Sequence, residues 1–371
     1  MTMLERVTQT MIELAQIPSV SGQEDQARAY VQARLERLGL ATVTDAAGNL
    51  IARVAAEPQT RDTEPPLLLN AHLDRVPPGL GRAPIIADGV MRGDGTNLGA
   101  DDSAGITIIL EALTALRERG LSHPPLLLVF TTEEEVGLTG AKAFDPTPWR
   151  PQDGFIFDNA GEPGVVVTRA ATYIAFDVAI HGSGGHPGKD IASAVSAIEI
   201  FRRASYPWGS LDDDTTRVSV GRVEAGTARN AVPRELTAQG EIRTLLEGAA
   251  RQALQNRIAR AFTNAATELG GAAEVSFDSH CDSYQVAEDE PALLAWRAAT
   301  EARGGTFRTM TTFIGSDASA LRRHVRAITI STGAMNEHTL DEYIALAPLA
   351  ELVETAVDVV ARWKALEVGP A

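Results

Sequence analysis

Short apolar strands that alternate with helical segments restrict the fold of this chain more than any other feature. Strand-like runs at 50–54, 67–70, 126–130 and 155–157 are rich in Leu, Val, Ile and Phe, and a helical stretch covers about 104–119. Parallel strands need long crossovers between them, and helices usually supply these. The order therefore predicts an α/β fold, with a mostly parallel sheet and helices on both faces.

The first 40 residues predict two helices ahead of this sheet. Leu4, Val7, Met11 and Leu14 recur at helical spacing. The tetrapeptide "SGQE" at 21–24 is interpreted as a capping box that opens a second helix running to about residue 38.

The segment 171–280 has a different pattern and is predicted to be an inserted domain. Apolar residues at 174, 176, 178 and 180 alternate strictly, as in a strand with one exposed face. The predicted elements that follow are a helix at 191–204, strands at 218–223 and 236–243, a helix at 248–269 and a strand at 273–277. This is the β-α-β-β-α-β order of a ferredoxin-like α+β domain. Residues 1–170 and 281–371 then form the larger domain.

Composition excludes several classes of protein. The chain has 33 Lys and Arg against 49 Asp and Glu, a formal net charge of −16, and lacks the basic cluster expected of a nucleic-acid binder. Cys281 is the only cysteine, which excludes a disulfide framework and a thiolate zinc site. No apolar run is long enough to span a membrane, and "MTMLERVTQT" has no signal core. We expect a cytoplasmic protein without nucleic-acid or membrane partners.

Polar side chains follow three of the apolar strands, at the point where each strand ends. His72 and Asp74 come after the strand at 67–70, Glu133 to Glu135 after 126–130, and Asp158 after 155–157. Singly, these residues have ordinary explanations: a hydrogen-bonded histidine or a solvated acidic turn. Ligands of open α/β sheets, however, bind beyond the carboxyl ends of the strands.

Two further segments add candidates for the same edge of the sheet. Asp101 and Asp102 lie in a glycine-rich turn before an apolar helix, where Asp102 or Ser103 would also serve as a helix cap, and His338 follows a strand at 327–330. Adjacent carboxylates repel one another, and a cation compensates that repulsion. Two histidines with several carboxylates suit zinc, cobalt or manganese, and suffice for two ions sharing one carboxylate.

These segments occur in an order that resembles a known enzyme family. They are "NAHLDRVPPG", "GDGTNLGADDSAGITIILEAL", "TTEEEVGLTGAKAF", "DNAG", "GSGGHPGK", "RNAVPRELTAQGEIRT", "GSDAS" and "NEHT". Together they resemble the co-catalytic zinc exopeptidases and amidohydrolases that include carboxypeptidase G and succinyl-diaminopimelate desuccinylase, and most closely the peptidase T-like branch. The resemblance covers essentially the full length and implies a zinc exopeptidase-like α/β domain with an inserted lid.

The resemblance also implies two divalent metal ions, with zinc as first choice and cobalt or manganese as alternatives. His72, Asp101 and Asp158 would hold one ion. Asp101 would bridge to a second ion, completed by Glu135 and His338.

Further roles are implied for residues around the ions. Asp74 would accept the other ring N–H of the metal-binding His72, and Glu134 would be the general base. In the lid, His186 would donate to the developing oxyanion, within its own subunit or a partner's. Asn230 and Arg243 would bind a substrate carboxylate, although an ordinary surface arginine explains Arg243 nearly as well. The resemblance further implies a homodimer formed through the lid.

The expected function is metal-dependent hydrolysis of a peptide bond in short peptides, by a metal-bound water with Glu134 as general base. Peptidase T-like aminopeptidase or tripeptidase action is the first choice. An N-acyl amino acid amidohydrolase or a carboxypeptidase is the alternative, since the same ions serve any amide. A non-catalytic metal-binding protein would have lost the base or a ligand type, and none is lost here. A dinucleotide enzyme is disfavoured because "GDGTNLG" precedes an acidic turn, which would repel a pyrophosphate.

Overall fold

The computed structural model describes residues 1–211 and 214–363. Residues 364–371, the end of the predicted segment 281–371, lie outside the described part. The chain divides into two compact units. Unit 1 comprises Met1–Arg169, Gln285–Thr311 and the described residues from Ser316 onward, and unit 2 comprises Ala170–Tyr284 and Thr312–Gly315. The sequence placed the corresponding boundaries at 170/171 and 280/281.

The helices and strands of both units are numbered here in chain order. The helices are α1 Met3–Ala15, α2 Asp25–Arg37, α3 Ala100–Glu118, α4 Thr139–Ala143, α5 Ala197–Arg203, α6 Gly248–Leu269, α7 Pro291–Ala302, α8 Ala318–Leu321 and α9 Leu346–Ala361. The strands up to the start of unit 2 are β1 Thr42–Thr44, β2 Leu50–Val54, β3 Leu67–His72, β4 Ile85–Ala87, β5 Val90–Arg92, β6 Leu126–Thr131, β7 Asp153–Ile156 and β8 Val166–Ala170. The later strands are β9 Thr172–His181, β10 Gly209–Leu211, β11 Thr216–Ala225, β12 Glu235–Thr244, β13 Ala272–Cys281, β14 Tyr284–Gln285, β15 Thr309–Thr312, β16 Arg326–Ile330, β17 Ala334–Met335 and β18 Tyr343–Ala345. Within the described residues, no helix is both long enough and apolar enough to cross a bilayer.

The main sheet of unit 1 has the strand order β1-β2-β6-β3-β7-β16-β8-β14, with β15 paired to β8. Its central strands β6, β3, β7 and β16 run parallel. Strands β1 and β2 at one side, and β8 at the other, pair antiparallel. Helices α1, α3 and α9 pack on one another, α3 also packs on β3, and α7 packs on β7 and β16. The predicted largely parallel α/β sheet is confirmed.

Every residue of β3 and β6 is buried, which explains why their apolar runs have no alternation. Both strands continue past the predicted apolar runs. In β3 the last residue is His72, which pairs in register with Thr131 at the end of β6. Polar side chains therefore enter the buried layer at the carboxyl ends of these strands.

The predicted capping box at 21–24 is wrong. Helix α2 begins at Asp25, and its N-cap Glu24 makes no side-chain capping hydrogen bond. Instead, Ser21 Oγ donates to Asp74 Oδ2 at 2.7 Å, and Glu24 Oε1 accepts the backbone N–H of Glu133 at 3.1 Å. The side chains of Ser21 and Glu24, which the local pattern predicted to cap the helix, thus form hydrogen bonds with residues distant in sequence.

Unit 2 contains a five-stranded antiparallel sheet in the order β10-β11-β12-β9-β13. Helices α5 and α6 pack with the sheet around one apolar core, which includes Phe176, Ile200, Ile258 and Phe262. Helix α5 is shorter than the predicted helix at 191–204, because Ser196 caps it by accepting the N–H of Glu199.

Replacing Phe262 with alanine is expected to lower the free energy of unfolding of unit 2 by about 3–5 kcal/mol. Phe262 is fully buried, and its ring lies 5.0 Å from that of Tyr206 and 5.8 Å from that of Phe201. Urea titration followed by circular dichroism measures the change. Gln252→Ala, at an exposed position on the same helix, is the control, and an equal midpoint for both variants would contradict this account of the core.

Candidate metal centre

The carboxyl ends of the parallel strands bring the candidate residues to one edge of the unit 1 sheet. His72 ends β3, Glu134 and Glu135 follow β6, and Asp158 follows β7. Strand β3 lies between β6 and β7, so these four residues lie at or just beyond the ends of three neighbouring strands although they are scattered through the chain.

Asp101 reaches the same edge from the start of α3. The helix is preceded by Gly99 in a left-handed conformation, and Asp101 and Asp102 have non-helical backbone angles. Asp102 accepts the backbone N–H of Gly105 at 3.0 Å, as a helix cap does, and also that of His72 at 3.1 Å. The side chains of the two aspartates therefore have different partners, and that of Asp101 remains available to the histidines.

Two groups of three side chains share Asp101. His72, Asp101 and Asp158 form one group, and the ligand-type atoms within each group lie within 4.8 Å of one another. His72 Nε2 lies 3.0 Å from Asp101 Oδ1 and 3.8 Å from Asp158 Oδ1. In the second group, His338 Nε2 lies 3.4 Å from Asp101 Oδ2 and 2.9 Å from Glu135 Oε2. Each carboxylate oxygen of Asp101 thus faces a different histidine.

Buried carboxylate oxygens without partners indicate that this cluster is built for cations. Among the described residues, Glu135 Oε1 and Asp158 Oδ2 are buried and have no hydrogen-bond partner. A buried polar atom without a hydrogen-bond partner is costly. The donor set of imidazole nitrogens and carboxylate oxygens fits two zinc-like ions that share one carboxylate.

Electrostatics within the cluster points the same way. Burial, with the charges of Asp101 and Asp317, outweighs the attraction of His72 and raises the pKa of Asp158 well above its usual range. Hydrogen bonds to Asp101 and Glu135 raise the pKa of His338 to about 10. Both shifts favour the protonated forms of groups that a metal requires deprotonated, so binding of a divalent ion would compete with protons.

Asp74 holds the turn after β6 as well as the histidine ring. His72 Nδ1 lies 2.9 Å from Asp74 O and 3.4 Å from Asp74 Oδ1. Asp74 Oδ1 also accepts the backbone N–H of Glu134 at 2.9 Å, and Oδ2 accepts that of Glu135 at 3.2 Å. Since Nδ1 donates to these oxygens, Nε2 is left without a proton in the neutral ring and faces Asp101. The family resemblance implied the contact with the His72 ring but not the hydrogen bonds to the turn.

Glu134 is buried, with 9% of the residue exposed to solvent. Burial first, and the charge of Asp158 next, raise the pKa of its carboxyl well above the usual range, although the charge of His72 opposes the change. A raised pKa suits a group that accepts and returns a proton near neutral pH.

Sequence reasoning assigned no role to two buried acids beside this cluster. Asp317, within the quoted "GSDAS", accepts hydrogen bonds from Asn70 Nδ2 at 3.2 Å and from Thr131 Oγ1. Glu342 accepts the backbone N–H groups of Gly99 and Asp101. Burial raises the pKa of Glu342 to about 7, against the opposing effect of these hydrogen bonds. In the sequence, the only indication of a role for Glu342 was its position four residues after the predicted ligand His338.

The other candidate residues, His186, Asn230 and Arg243, lie in unit 2. His186 Nδ1 accepts the N–H of Gly188 at 3.1 Å, and its own backbone N–H donates to Asp190 Oδ2 at 2.8 Å. Arg243 lies over the Tyr173 ring, 3.8 Å from its centroid, and its Nη1 donates to Phe313 O at 3.3 Å.

Asn230 is exposed in the loop between β11 and β12. This loop pairs with the loop that carries His186, because the N–H of Val232 donates to Gly185 O at 2.8 Å.

Comparisons with known proteins identify the family. The model of Peptidase family M20/M25/M40 matches residues 68–362. The Bacillus subtilis protein YqjE, described as uncharacterized, is 31% identical over 369 residues, which cover 96% of this chain and 97% of that protein. Aminopeptidase PepT from Bacillus cereus has a TM-score of 0.89 at 30% identity, covering 96% of this chain and 98% of that one. A tripeptidase from Staphylococcus aureus has a TM-score of 0.92 at 26% identity, covering 99% of both chains. The chain therefore belongs to peptidase family M20/M25/M40, in agreement with its peptidase T-like motifs, and is a metal-dependent peptidase.

Proposed function

We propose that this protein is a dinuclear zinc exopeptidase that removes the N-terminal residue of short peptides. The observation that carries the proposal is the pair of three-residue groups that share Asp101. The full-length similarity to an aminopeptidase and a tripeptidase supports the choice of substrate.

In this proposal, His72, Asp101 and Asp158 hold one ion, and Asp101, Glu135 and His338 hold the other. Such ions supply Lewis acidity that lowers the pKa of water and polarises a carbonyl. Zinc is the first choice because its sites combine imidazole and carboxylate ligands, and cobalt or manganese are the alternatives.

Glu134 is the proposed general base. It accepts a proton from the attacking water and returns it to the leaving amine. Its backbone N–H is fixed by Asp74 Oδ1 at 2.9 Å, which orients the residue next to the ligand Glu135.

His186 is the proposed donor to the oxyanion of the tetrahedral intermediate, from its own or a partner subunit. Its Nδ1 accepts an N–H from Gly188, so in the neutral ring Nε2 carries the proton and is the donor. The family resemblance supports this role, and it also supports the proposals of a homodimer through 171–280 and of a cytoplasmic location.

Asn230 and Arg243 are proposed to bind a substrate carboxylate. The guanidinium group is a good bidentate partner for carboxylates, and Asn230 is exposed. Such a pair would also serve a carboxypeptidase or an N-acyl amino acid amidohydrolase, so the direction of cleavage needs a direct test.

A panel of free, N-acetylated and C-amidated tripeptides tests the proposal. We expect the zinc-loaded protein to cleave the free peptide at the first peptide bond and to leave the N-acetylated peptide intact, with products identified by mass spectrometry. The C-amidated peptide is expected to be cleaved at the same bond but more slowly, because it lacks the carboxylate that Asn230 and Arg243 would bind. Cleavage of the N-acetylated peptide that requires a free carboxyl end would instead establish the carboxypeptidase or amidohydrolase alternative.

Replacing Asp74 with asparagine is expected to reduce zinc affinity or activity by about 10- to 100-fold, as is typical for groups that orient metal ligands. The amide would present one oxygen where the carboxylate now serves His72 and two backbone N–H groups. Zinc content after dialysis and the initial rate of tripeptide cleavage measure the effect. The control is Asp145→Asn, which alters an exposed acid that accepts the backbone N–H of Thr147 at 2.9 Å. Matching zinc contents and rates in the two variants would refute the role of Asp74.

A further inference from the structure

The turn that presents Asp101 is held from outside the helix it precedes. Asp101 has φ −82° and ψ 103°, so its backbone has left the helical conformation. The first N–H groups of a helix need partners from elsewhere. Here the carboxylate of Glu342 supplies them: Oε2 accepts the N–H of Gly99 at 2.7 Å, and Oε1 accepts that of Asp101 at 3.0 Å.

Glu342 is the last residue before β18 and belongs to the loop between β17 and β18 that also carries His338. Its side chain is almost completely buried, with 1% of the residue exposed. One loop therefore provides both a proposed metal ligand and the carboxylate that fixes the backbone of the shared ligand. Charge-assisted hydrogen bonds of this kind are stronger than those between neutral groups.

Arg75 holds the same turn from another direction. It is 4% exposed, and its Nη2 donates to Leu14 O at 3.0 Å. A Cβ atom added to Gly99 would lie 2.6 Å from Arg75 Cζ, so the guanidinium packs directly on the glycine. Gly99 also has φ +68°, which a side chain would strain. The positive charge of Arg75 partly compensates the buried Glu342.

We infer that Glu342, with Arg75 and Gly99, forms a positioning group that holds the Asp101 carboxylate between His72 and His338. This inference rests on the proposed two-ion function. Metal–ligand distances in proteins are expected within about 0.2 Å of their standard values, and Asp101 is the one residue that both proposed ligand groups need. The positioning group joins the loop after β3, the start of α3 and the loop before β18, so three segments that are distant in sequence place the shared carboxylate.

Glu342→Gln tests this inference, with zinc binding as the readout. Glutamine has one acceptor oxygen, so the N–H of Gly99 or of Asp101 loses its partner. The full-length protein is stripped with a chelator and titrated with Zn²⁺ in competition with a chromophoric chelator. We expect about 10- to 100-fold weaker zinc binding than in the unaltered protein.

The matched control is Glu290→Gln. Glu290 is also a buried acid of unit 1, 8% exposed, and accepts the N–H of Ala287 at 3.0 Å and hydrogen bonds from Arg322. Both variants are expected to lower the melting temperature of the ion-free protein, whereas only Glu342→Gln weakens zinc binding. Zinc affinity of Glu342→Gln equal to that of Glu290→Gln would overturn the inference.

Glu342→Asp provides a second, milder variant in case the glutamine variant does not fold. It keeps the carboxylate on a side chain one methylene shorter, and its zinc affinity is expected to fall between those of the unaltered protein and Glu342→Gln. Unchanged affinity in Glu342→Asp would also count against the inference if the glutamine variant is insoluble. This measurement does not depend on peptide cleavage. If the protein bound two zinc ions but cleaved no peptide, the proposed function would be wrong and the inference about Glu342 would still stand.

Discussion

Glu134→Gln is expected to lower kcat for tripeptide cleavage by about 10²- to 10⁴-fold, because it removes the group that accepts the proton of the attacking water. Glutamine keeps the size and shape of the side chain, and the backbone hydrogen bond to Asp74 remains available. Glu134 belongs to neither ligand group, so the zinc content of the variant is expected to equal that of the unaltered protein.

The control for this variant is Glu133→Gln, which alters the adjacent acid. Glu133 is only partly buried, and the hydrogen bond from its backbone to Glu24 is unaffected by the change. We expect Glu133→Gln to retain most activity. Stopped assays with zinc-loaded protein at matched concentrations compare the two variants. An active Glu134→Gln enzyme with normal zinc content would show that another group accepts the proton.

Asp101→Ala is expected to remove both ions and to reduce cleavage to background. Its two oxygens lie 3.0 Å from the Nε2 of His72 and 3.4 Å from the Nε2 of His338. Without that carboxylate, each proposed ion keeps only two protein ligands, fewer than the three of a catalytic zinc site. Elemental analysis of the purified variant after dialysis measures the zinc content.

The controls for Asp101→Ala are Glu135→Ala and Asp158→Ala. Each of those acids belongs to only one group, so each variant is expected to lose one ion and retain the other. If Asp101→Ala retained the same zinc content as these two variants, Asp101 would not bridge the ions. Circular dichroism of all three ion-free proteins controls for folding.

The main features of unit 1 could be predicted from the sequence because they depend on local patterns of apolar residues. Wholly apolar runs mark buried parallel strands, and β2 has the predicted bounds 50–54. The rule that ligands gather at carboxyl strand ends places His72, Glu135 and Asp158 together without knowledge of the contacts. The structure brings these three residues together with Asp101 and His338.

Interactions between distant segments could not be read from the sequence. Glu342 contacts the backbone of Asp101 across 241 positions, and no local pattern predicts such a pairing. The failed capping box has the same cause. Ser21 donates a hydrogen bond to Asp74, 53 positions away, and Glu24 accepts one from the backbone of Glu133, 109 positions away. These long-range hydrogen bonds outweighed the local preference for a capping box.

The two histidines of the cluster differ greatly in their access to solvent. The side chain of His72 is 1% exposed, whereas that of His338 is 46% exposed, on a loop where it adopts φ +62°. On the proposed assignment, the ion held by His338 would exchange with the solvent faster than the ion held by His72. Isotopic replacement of the zinc would then proceed in two phases, and a brief treatment with a weak chelator would yield a mononuclear form.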